Sequence, residues 1–517
     1  MPTWTDGYVA DIAYTSEFYS EISPGWLATA ATLLGHRAPD LAGPFRWAEL
    51  GCGQGVSANV FAATNPRAEF HGFDFNPAHI ESARRLATSA GLRNAHFHEM
   101  SFGEIAAAPD GRIPQFDFIV AHGIWSWVSP AVRDQLVAAV GRHLAPGGLL
   151  YVSYNNLVGW NAMLPVQRLI REWARTRPGT SLEKARDGFA FARGLAKSGA
   201  AFFAANPTAA TRLENAQTAA PRYIAHEYMH DNWEPSLFHE VAEALDSAKL
   251  SFIGSATLVE NVDAISLPAD TIKMIAEVAD PRLRETVRDF ASNRAFRRDI
   301  YRRGSERMPT GEHRERLDAM LLVAATRAGE KEIKIATGIG NFGLRGELHG
   351  QIRDRLAQGP MSFRDLTLLP GLARQPLAEA LQAFIFLVAG GVAHPAPAPA
   401  PDPAAIAAAR ALNAAIARHN AMGGEISALA APAIASGFRA DMPETATVAA
   451  LLEGVASADA IAGSIVAHLE RAGRQVVKDG KAIQDRAAAV AEMTATVNRL
   501  LAERAPLWKR LGAVPAG

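Results

Sequence analysis

From residue 44 to residue 156, short apolar runs alternate with stretches of helical periodicity, and this pattern restricts the fold more than any other feature of the chain. "PFRWAELG" reads as a short buried strand and "AEFHGFDFN", "AHFHEMSF", "FDFIVAHGIW" and "LLYVSYNN" as further strands, while "SANVFAATN", "PAHIESARRLATSAGL" and "SPAVRDQLVAAVGRHLAPGG" read as helices. Strands and helices alternating at this pace make a parallel, doubly wound α/β sheet with helices on both faces. A short helix, "WLATAATLLG" at 26–35, follows Ser23-Pro24 and is expected to cover one edge.

The first strand runs into Gly51, Gly53 and Gly55, and the second ends at Asp74. A dinucleotide fingerprint needs a glycine where Val56 stands, and no G-K-[ST] follows for a Walker-type phosphate loop. Glycines without a Cβ let the backbone approach a ligand at the carboxyl ends of an open sheet, and a carboxylate at the second strand end can accept both ribose hydroxyls. That much suits NAD and S-adenosylmethionine alike. Glu49, two residues before the first glycine, separates them: it repels a pyrophosphate and attracts ammonium and sulfonium groups. The loop therefore points to S-adenosylmethionine.

Composition narrows the rest. At 517 residues the chain exceeds a single core, and Lys plus Arg (52) balance Asp plus Glu (53), so no global field favours nucleic acid or an anionic membrane. Cys52 is the sole cysteine, which excludes an intramolecular disulfide and a cysteine-built metal cage. The start of the chain lacks a signal-peptide pattern, and the most apolar run, "AFIFLVAGGVA", is too short for a bilayer. These features set the expectation of a soluble, cytoplasmic protein with no metal.

"ELGCGQG", "GFDFNPAHI", "FDFIVAHGIWSWVS" and "LAPGGLLYVSYN" resemble the class I S-adenosylmethionine-dependent methyltransferases. "AHGIWSWV", "YVSYNNLVGW" and "YIAHEYMHDNWEP" are similar, more narrowly, to bacterial methyltransferases with a methyltransferase regulatory domain, which include rickettsial protein-lysine methyltransferases. The resemblance spans about residues 8 to 305 and implies the donor more firmly than the acceptor. It implies that Glu49, Gly51, Gly53 and Gly55 surround the donor's amino-acid moiety and that Asp74 meets the ribose, with Phe75 and Asn76 beside it. It also implies Ser101 and Phe102 at adenine, Ala121 and His122 closing the pocket, and Tyr14 and Tyr19 in a segment folded over the cofactor.

The chain then divides into a Rossmann-like core with an amino-terminal cap (1–160) and a helical insertion, regulatory segment and completion of the sheet (161–330). Within the latter, "RLDAMLLVAATRA" (316–328) is expected to give the last strand. A winged-helix-like unit with a terminal hairpin (331–393), a stiff Pro/Ala linker (394–403) and an Ala-rich helical domain (404–517) follow. The would-be recognition helix carries one basic residue, Arg374, against Glu379, which favours packing over DNA binding.

Methyl transfer needs collinear nucleophile, methyl and sulfur, and positioning supplies most of the acceleration. The acceptor channel is expected at the fourth and fifth strand ends, among His122, Trp125, Trp127, Tyr154, Asn155, Asn156 and Trp160, whose aromatic faces suit an amine. Trp125 is read as the acceptor-facing indole and Trp127 as packing. His122, Trp125, Tyr154 and Asn155 are the candidate catalytic residues.

No [DNS]-P-P-[YFW] follows the fourth strand, which disfavours methylation of nucleic-acid bases. "HEYMH" (226–230) matches a zinc-protease motif, but Asn232 and Pro235 interrupt the helix that motif requires, and His226 and Glu227 are expected to reach the site instead. The basic run "SNRAFRRDIYRRGSER" (292–307) reads as a solvated helix face. Three functions fit: methylation of a protein lysine, methylation of a small molecule, or donor binding without turnover. A homodimer through the tail domains is compatible with each.

Overall fold

Each of the five apolar runs becomes a strand, and two later segments complete the sheet. The computed structural model describes residues 17–216, 228–304, 306–325, 333–337, 339–344, 346–478 and 480–516. The central strands are β1 (Arg46–Leu50), β2 (Glu69–Asp74), β3 (Ala95–Glu99), β4 (Phe116–Ala121), β5 (Leu144–Asn155), β6 (Leu250–Ser255) and β7 (Phe296–Arg303), in the order β3-β2-β1-β4-β5-β7-β6. Neighbours from β3 to β5 run parallel, and β7 enters between β5 and β6, antiparallel to both. The strand order reverses between β1 and β4, so the loops leaving their carboxyl ends diverge and open a crevice there.

The two-residue period of β1 sends Trp47 into a core with Phe61, Phe70 and Phe118, and Ala48 and Leu50 into a second core with Phe73 and Ile119. A central strand covered on both faces is normally an unbroken apolar run, which makes Glu49 within it exceptional. Flanking helices are α1 (Pro24–Leu33), α2 (Val56–Thr64), α3 (Pro77–Ser89), α4 (Phe102–Ala107) and α5 (Pro130–His143). Three start on side-chain caps: Ser23 accepts from the Trp26 amide, Asn76 from the Ala78 amide, and Ser101 forms a reciprocal box with Glu104.

The basic run at 292–307 is not a solvated helix face, because most of it is β7. Arg297 is fully buried there and held by Asp289 (2.6 Å), Asp299 (2.9 Å) and Glu285 (3.3 Å). Tyr154 donates to Asp299 at 2.7 Å and Asn156 donates to Asp289 at 2.7 Å, so the network ties β7 and the preceding helix, Pro281–Ser292, to the end of β5. A buried guanidinium is tolerable only with such a full set of acceptors.

The last strand of the sheet is therefore not in 316–328. Leu321–Ala324 joins a separate three-stranded antiparallel sheet, between Met361–Ser362 and Ala393–Ala396. The stretch expected to resemble a winged helix contains helices Gly346–Ala357, Phe363–Thr367 and Leu377–Ala389. Its hairpin, Ile335–Thr337 with Gly340–Phe342, lies at the beginning of the unit and not at its end. The first residues of the expected linker are the strand Ala393–Ala396, so that part of it is paired rather than a free spacer.

Residues 164–215 form helices Leu164–Arg175, Ser181–Lys197, Ala201–Ala205 and Pro207–Asn215 around a small core of Met163, Ile170, Phe189 and Leu213. The carboxyl-terminal region is not purely helical. Its first helix, Pro403–Ala421, lies along α2 and α3 and is followed by a hairpin, Ala428–Ala431 with Ser436–Arg439, set against α2. Asn413 zips helix to hairpin, donating to the Ala430 carbonyl at 3.1 Å and accepting from the Ala430 amide at 2.7 Å. All nine residues of α2 are buried as a result. Among the described residues, no helix is long and apolar enough to cross a membrane.

Candidate active site

At the divergence of β1 and β4 lies a cavity of about 570 Å³. Its floor is the glycine loop, in which Gly51, Gly53 and Gly55 have φ of 76°, 51° and 66°, a left-handed conformation that side chains oppose. The three glycines serve different ends. A Cβ on Gly51 would stand 2.2 Å from Ile124 Cδ1, and one on Gly55 would stand 2.5 Å from the Phe97 ring and 2.7 Å from Ala83 Cβ. A Cβ on Gly53, which faces the cavity, would meet nothing within 4 Å among the described residues. Gly51 and Gly55 thus permit packing, and Gly53 leaves ligand space.

Asp74, buried at the end of β2, braces this loop. One oxygen accepts from the Gly53 amide at 2.9 Å; the other accepts from the Asn76 amide at 2.9 Å and lies 3.3 Å from His79 Nδ1. A carboxylate offers about four acceptor sites, so these three contacts leave capacity towards the cavity that Asp74 lines. Glu49 lies beneath the loop, off the cavity wall, and its Oε2 is buried with no hydrogen-bond partner among the described residues. Burial and the nearby Asp74 raise the Glu49 carboxyl to about 8. A buried acid left partly unsatisfied beside a second carboxylate is complementary to a cationic ligand group.

Phe75, Ser101, Phe102 and His122 line the cavity with Gly51, Gly53 and Asp74, so the structure brings these seven together. Gly55, Asn76 and Ala121 stand behind the wall: Gly55 packs against β3, Asn76 caps α3, and Ala121 belongs to the core. Tyr19 lies over His122, ring centres 3.8 Å apart. Tyr14, like His226 and Glu227, falls outside the described residues.

His122 Nδ1 is 2.9 Å from the Tyr151 hydroxyl and 3.4 Å from Ser153 Oγ. Burial, followed by the nearby Arg298 and Arg439, lowers His122 to about 3. The ring is uncharged at neutral pH and a weak base, which suits it to shaping the wall rather than to taking a proton.

Three residues expected at the acceptor are placed elsewhere. Trp125 is buried in the core, its Nε1 donating to Ser236 Oγ at 3.2 Å. Tyr154 is consumed by the Arg297 network. Asn155 is buried, its backbone amide donating to Ser126 Oγ at 2.8 Å and its carbonyl accepting from Ser236. Asn156 and Trp160 are likewise structural, Asn156 holding Asp289 and Trp160 packing on Trp233.

The expectation for the two indoles is reversed: Trp127 lines the cavity. Trp125–Trp127 is a 3-10 turn, in which positions two apart point to widely different sides, so burying Trp125 directs Trp127 outwards. His230 and Asn232 also reach the wall, with Ile124, Val128, Val132 and Gln135 from the β4–α5 turn and α5. His230 was not expected there. Its only sequence signal is proximity to the "AHEY" stretch.

The chain is similar to known methyltransferases in sequence and fold. Residues 48–150 match the model described as "Methyltransferase domain", and residues 220–303 match "Predicted methyltransferase regulatory domain". The protein sll1526 of Synechocystis sp. is 33% identical over 510 residues, 99% of each chain. The trans-aconitate 2-methyltransferase of Methylobacterium nodulans is 32% identical over 149 residues, 29% of this chain and 51% of that protein. Among solved structures, PKMT2 from Rickettsia typhi in complex with AdoHcy shares the fold at a TM-score of 0.69 and 20% identity, over 98% of this chain and 100% of that one.

Proposed function

Since the chain belongs to one family with sll1526 and is a class I S-adenosylmethionine-dependent methyltransferase carrying a regulatory domain, we propose that it N-methylates a protein, on a lysine amine. The donor supplies an electrophilic methyl on a sulfonium; this chain's residues bind it, orient it and keep water out. In this reading Gly53 leaves room for the donor, Asp74 takes the ribose, and Ser101 and Phe102 border adenine. Glu49, beneath the loop and off the wall, acts on the donor's ammonium through its field rather than by contact. Trp127, rather than Trp125, faces the acceptor, and His122 positions it.

One observation carries the choice of acceptor. The cavity wall holds Asp74 and Glu99 but no lysine or arginine among the described residues. A negative, partly aromatic wall attracts an amine and repels a polycarboxylate such as trans-aconitate. The amine must still lose its proton, which at pH 7 costs on the order of 4 to 5 kcal/mol for a lysine of ordinary pKa. The donor's sulfonium and the apolar Ile124, Val128 and Val132 lower that requirement, so no strong base is needed. The name of the structural neighbour PKMT2, and the resemblance of "AHGIWSWV", "YVSYNNLVGW" and "YIAHEYMHDNWEP" to rickettsial protein-lysine methyltransferases, support the same reading.

A small-molecule acceptor is the second reading, favoured by the similarity to trans-aconitate methyltransferases over 29% of this chain. Incubation of the enzyme with labelled donor and a cell lysate separates the two. Label in the protein fraction, located on lysine by peptide mass spectrometry, is expected; label confined to low-mass material overturns the proposal.

A further inference from the structure

Among the described residues, none of the carboxyl-terminal region lines the cavity, yet one of its side chains reaches the site's outer layer. The hairpin that ends at Arg439 is docked tightly on the core. A Cβ on Gly437 would stand 2.7 Å from Val60 Cγ1 and 3.2 Å from the Phe18 ring, and Asn65 donates to the Ala435 carbonyl at 3.0 Å. This docking presents Arg439 to the segment that precedes α1. Its Nε donates to the Phe18 carbonyl at 3.3 Å, its Nη2 donates to Glu17 Oε2 at 3.0 Å, and its guanidinium lies 5.7 Å from the centre of the Tyr19 ring. Tyr19 in turn lies on His122, rings 3.8 Å apart and tilted by 36°, and His122 lines the cavity.

We propose that Arg439 is a positioning residue for donor binding: it fixes residues 17–19 over His122 and makes the donor site depend on the carboxyl-terminal region. The inference rests on the cavity being the S-adenosylmethionine site. Only a planar, forked donor can serve a main-chain carbonyl, a carboxylate and an aromatic face from one side chain, a task lysine performs incompletely. The Arg439 and Glu17 side chains are 64% and 44% exposed, and pairs so exposed add little to global stability. Their consequence is local order in the layer over the cavity.

Calorimetric titration of the full chain with S-adenosylhomocysteine tests this, with Arg439→Gln, Arg439→Lys and Glu17→Gln beside the parent and the thermal midpoint recorded for each. Arg439→Gln is expected to weaken binding roughly three- to tenfold with an unchanged midpoint. KM for the donor should rise more than kcat falls, and Arg439→Lys should recover part of the loss. Equal affinity in Arg439→Gln and parent overturns the proposal, as does a loss of affinity that only tracks a falling midpoint. A parent that takes up no S-adenosylhomocysteine overturns instead the reading of the cavity on which the inference stands.

Discussion

Glu49 is a buried, partly unsatisfied acid, and the proposed donor site would give that cost a purpose. Because its carboxyl sits near 8 in the free protein, it is mostly protonated at pH 7. A ligand ammonium beside it favours the carboxylate, so donor uptake should release up to about one proton at pH 7. The calorimetric heat should then vary with the ionisation enthalpy of the buffer, and Glu49→Gln should abolish that variation. Stability carries the same signature. The unfolded chain loses this proton near 4.5 and the folded chain near 8, so folding weakens as pH rises between those values, and Glu49→Gln should flatten that slope. The two indoles make the second residue-level test. Trp127→Ala should keep the thermal midpoint and lower turnover, whereas Trp125→Ala should destabilise by about 3 to 5 kcal/mol, as measured by denaturant unfolding.

Among elements, the glycine loop is the most readable and the most exacting. Gly53→Ala should fold at a cost of about 1 kcal/mol for its positive φ but lose S-adenosylhomocysteine binding, since the added methyl enters the cavity. Gly51→Ala should instead lower the thermal midpoint, because its methyl collides with Ile124. If Gly53→Ala binds normally, the donor does not pass over that glycine. Strands β1, β2, β4 and β5 were legible as short runs with buried apolar residues closed by turn residues, and β3, "AHFHE", only by its place in the strand–helix alternation. β7 was not: five of the eight residues in "FRRDIYRR" are charged, and such a strand is buried only because Asp289 and Glu285, on another element, converge on Arg297. The loop and Asp74 could be read from spacing. The sides taken by Trp125 and Trp127 could not, since they depend on a 3-10 turn and on the Trp125 indole reaching Ser236, far along the chain. The place of His230 depends on where the insertion returns to the core, which is a tertiary matter.

At the scale of the molecule, composition suggested separable units, and packing joins them. Residues of α2, of the unit around Phe363 and Phe384, and of the helix Pro403–Ala421 share one hydrophobic cluster. A chain ending at residue 402 should therefore elute as aggregate and bind no S-adenosylhomocysteine. A monodisperse, donor-binding truncation would show the tail to be an appendage. The regulatory segment is equally integral, for it supplies β6 and β7 and the acidic partners of Arg297.

The helix behind the glycine loop is enclosed on every side, and its final cover is made near residue 439. During synthesis α2 therefore leaves the ribosome on the order of 20 to 75 s before that cover exists. The nascent donor-binding region spends this interval with an apolar helix face unshielded, which ties the birth of an active enzyme to the end of translation.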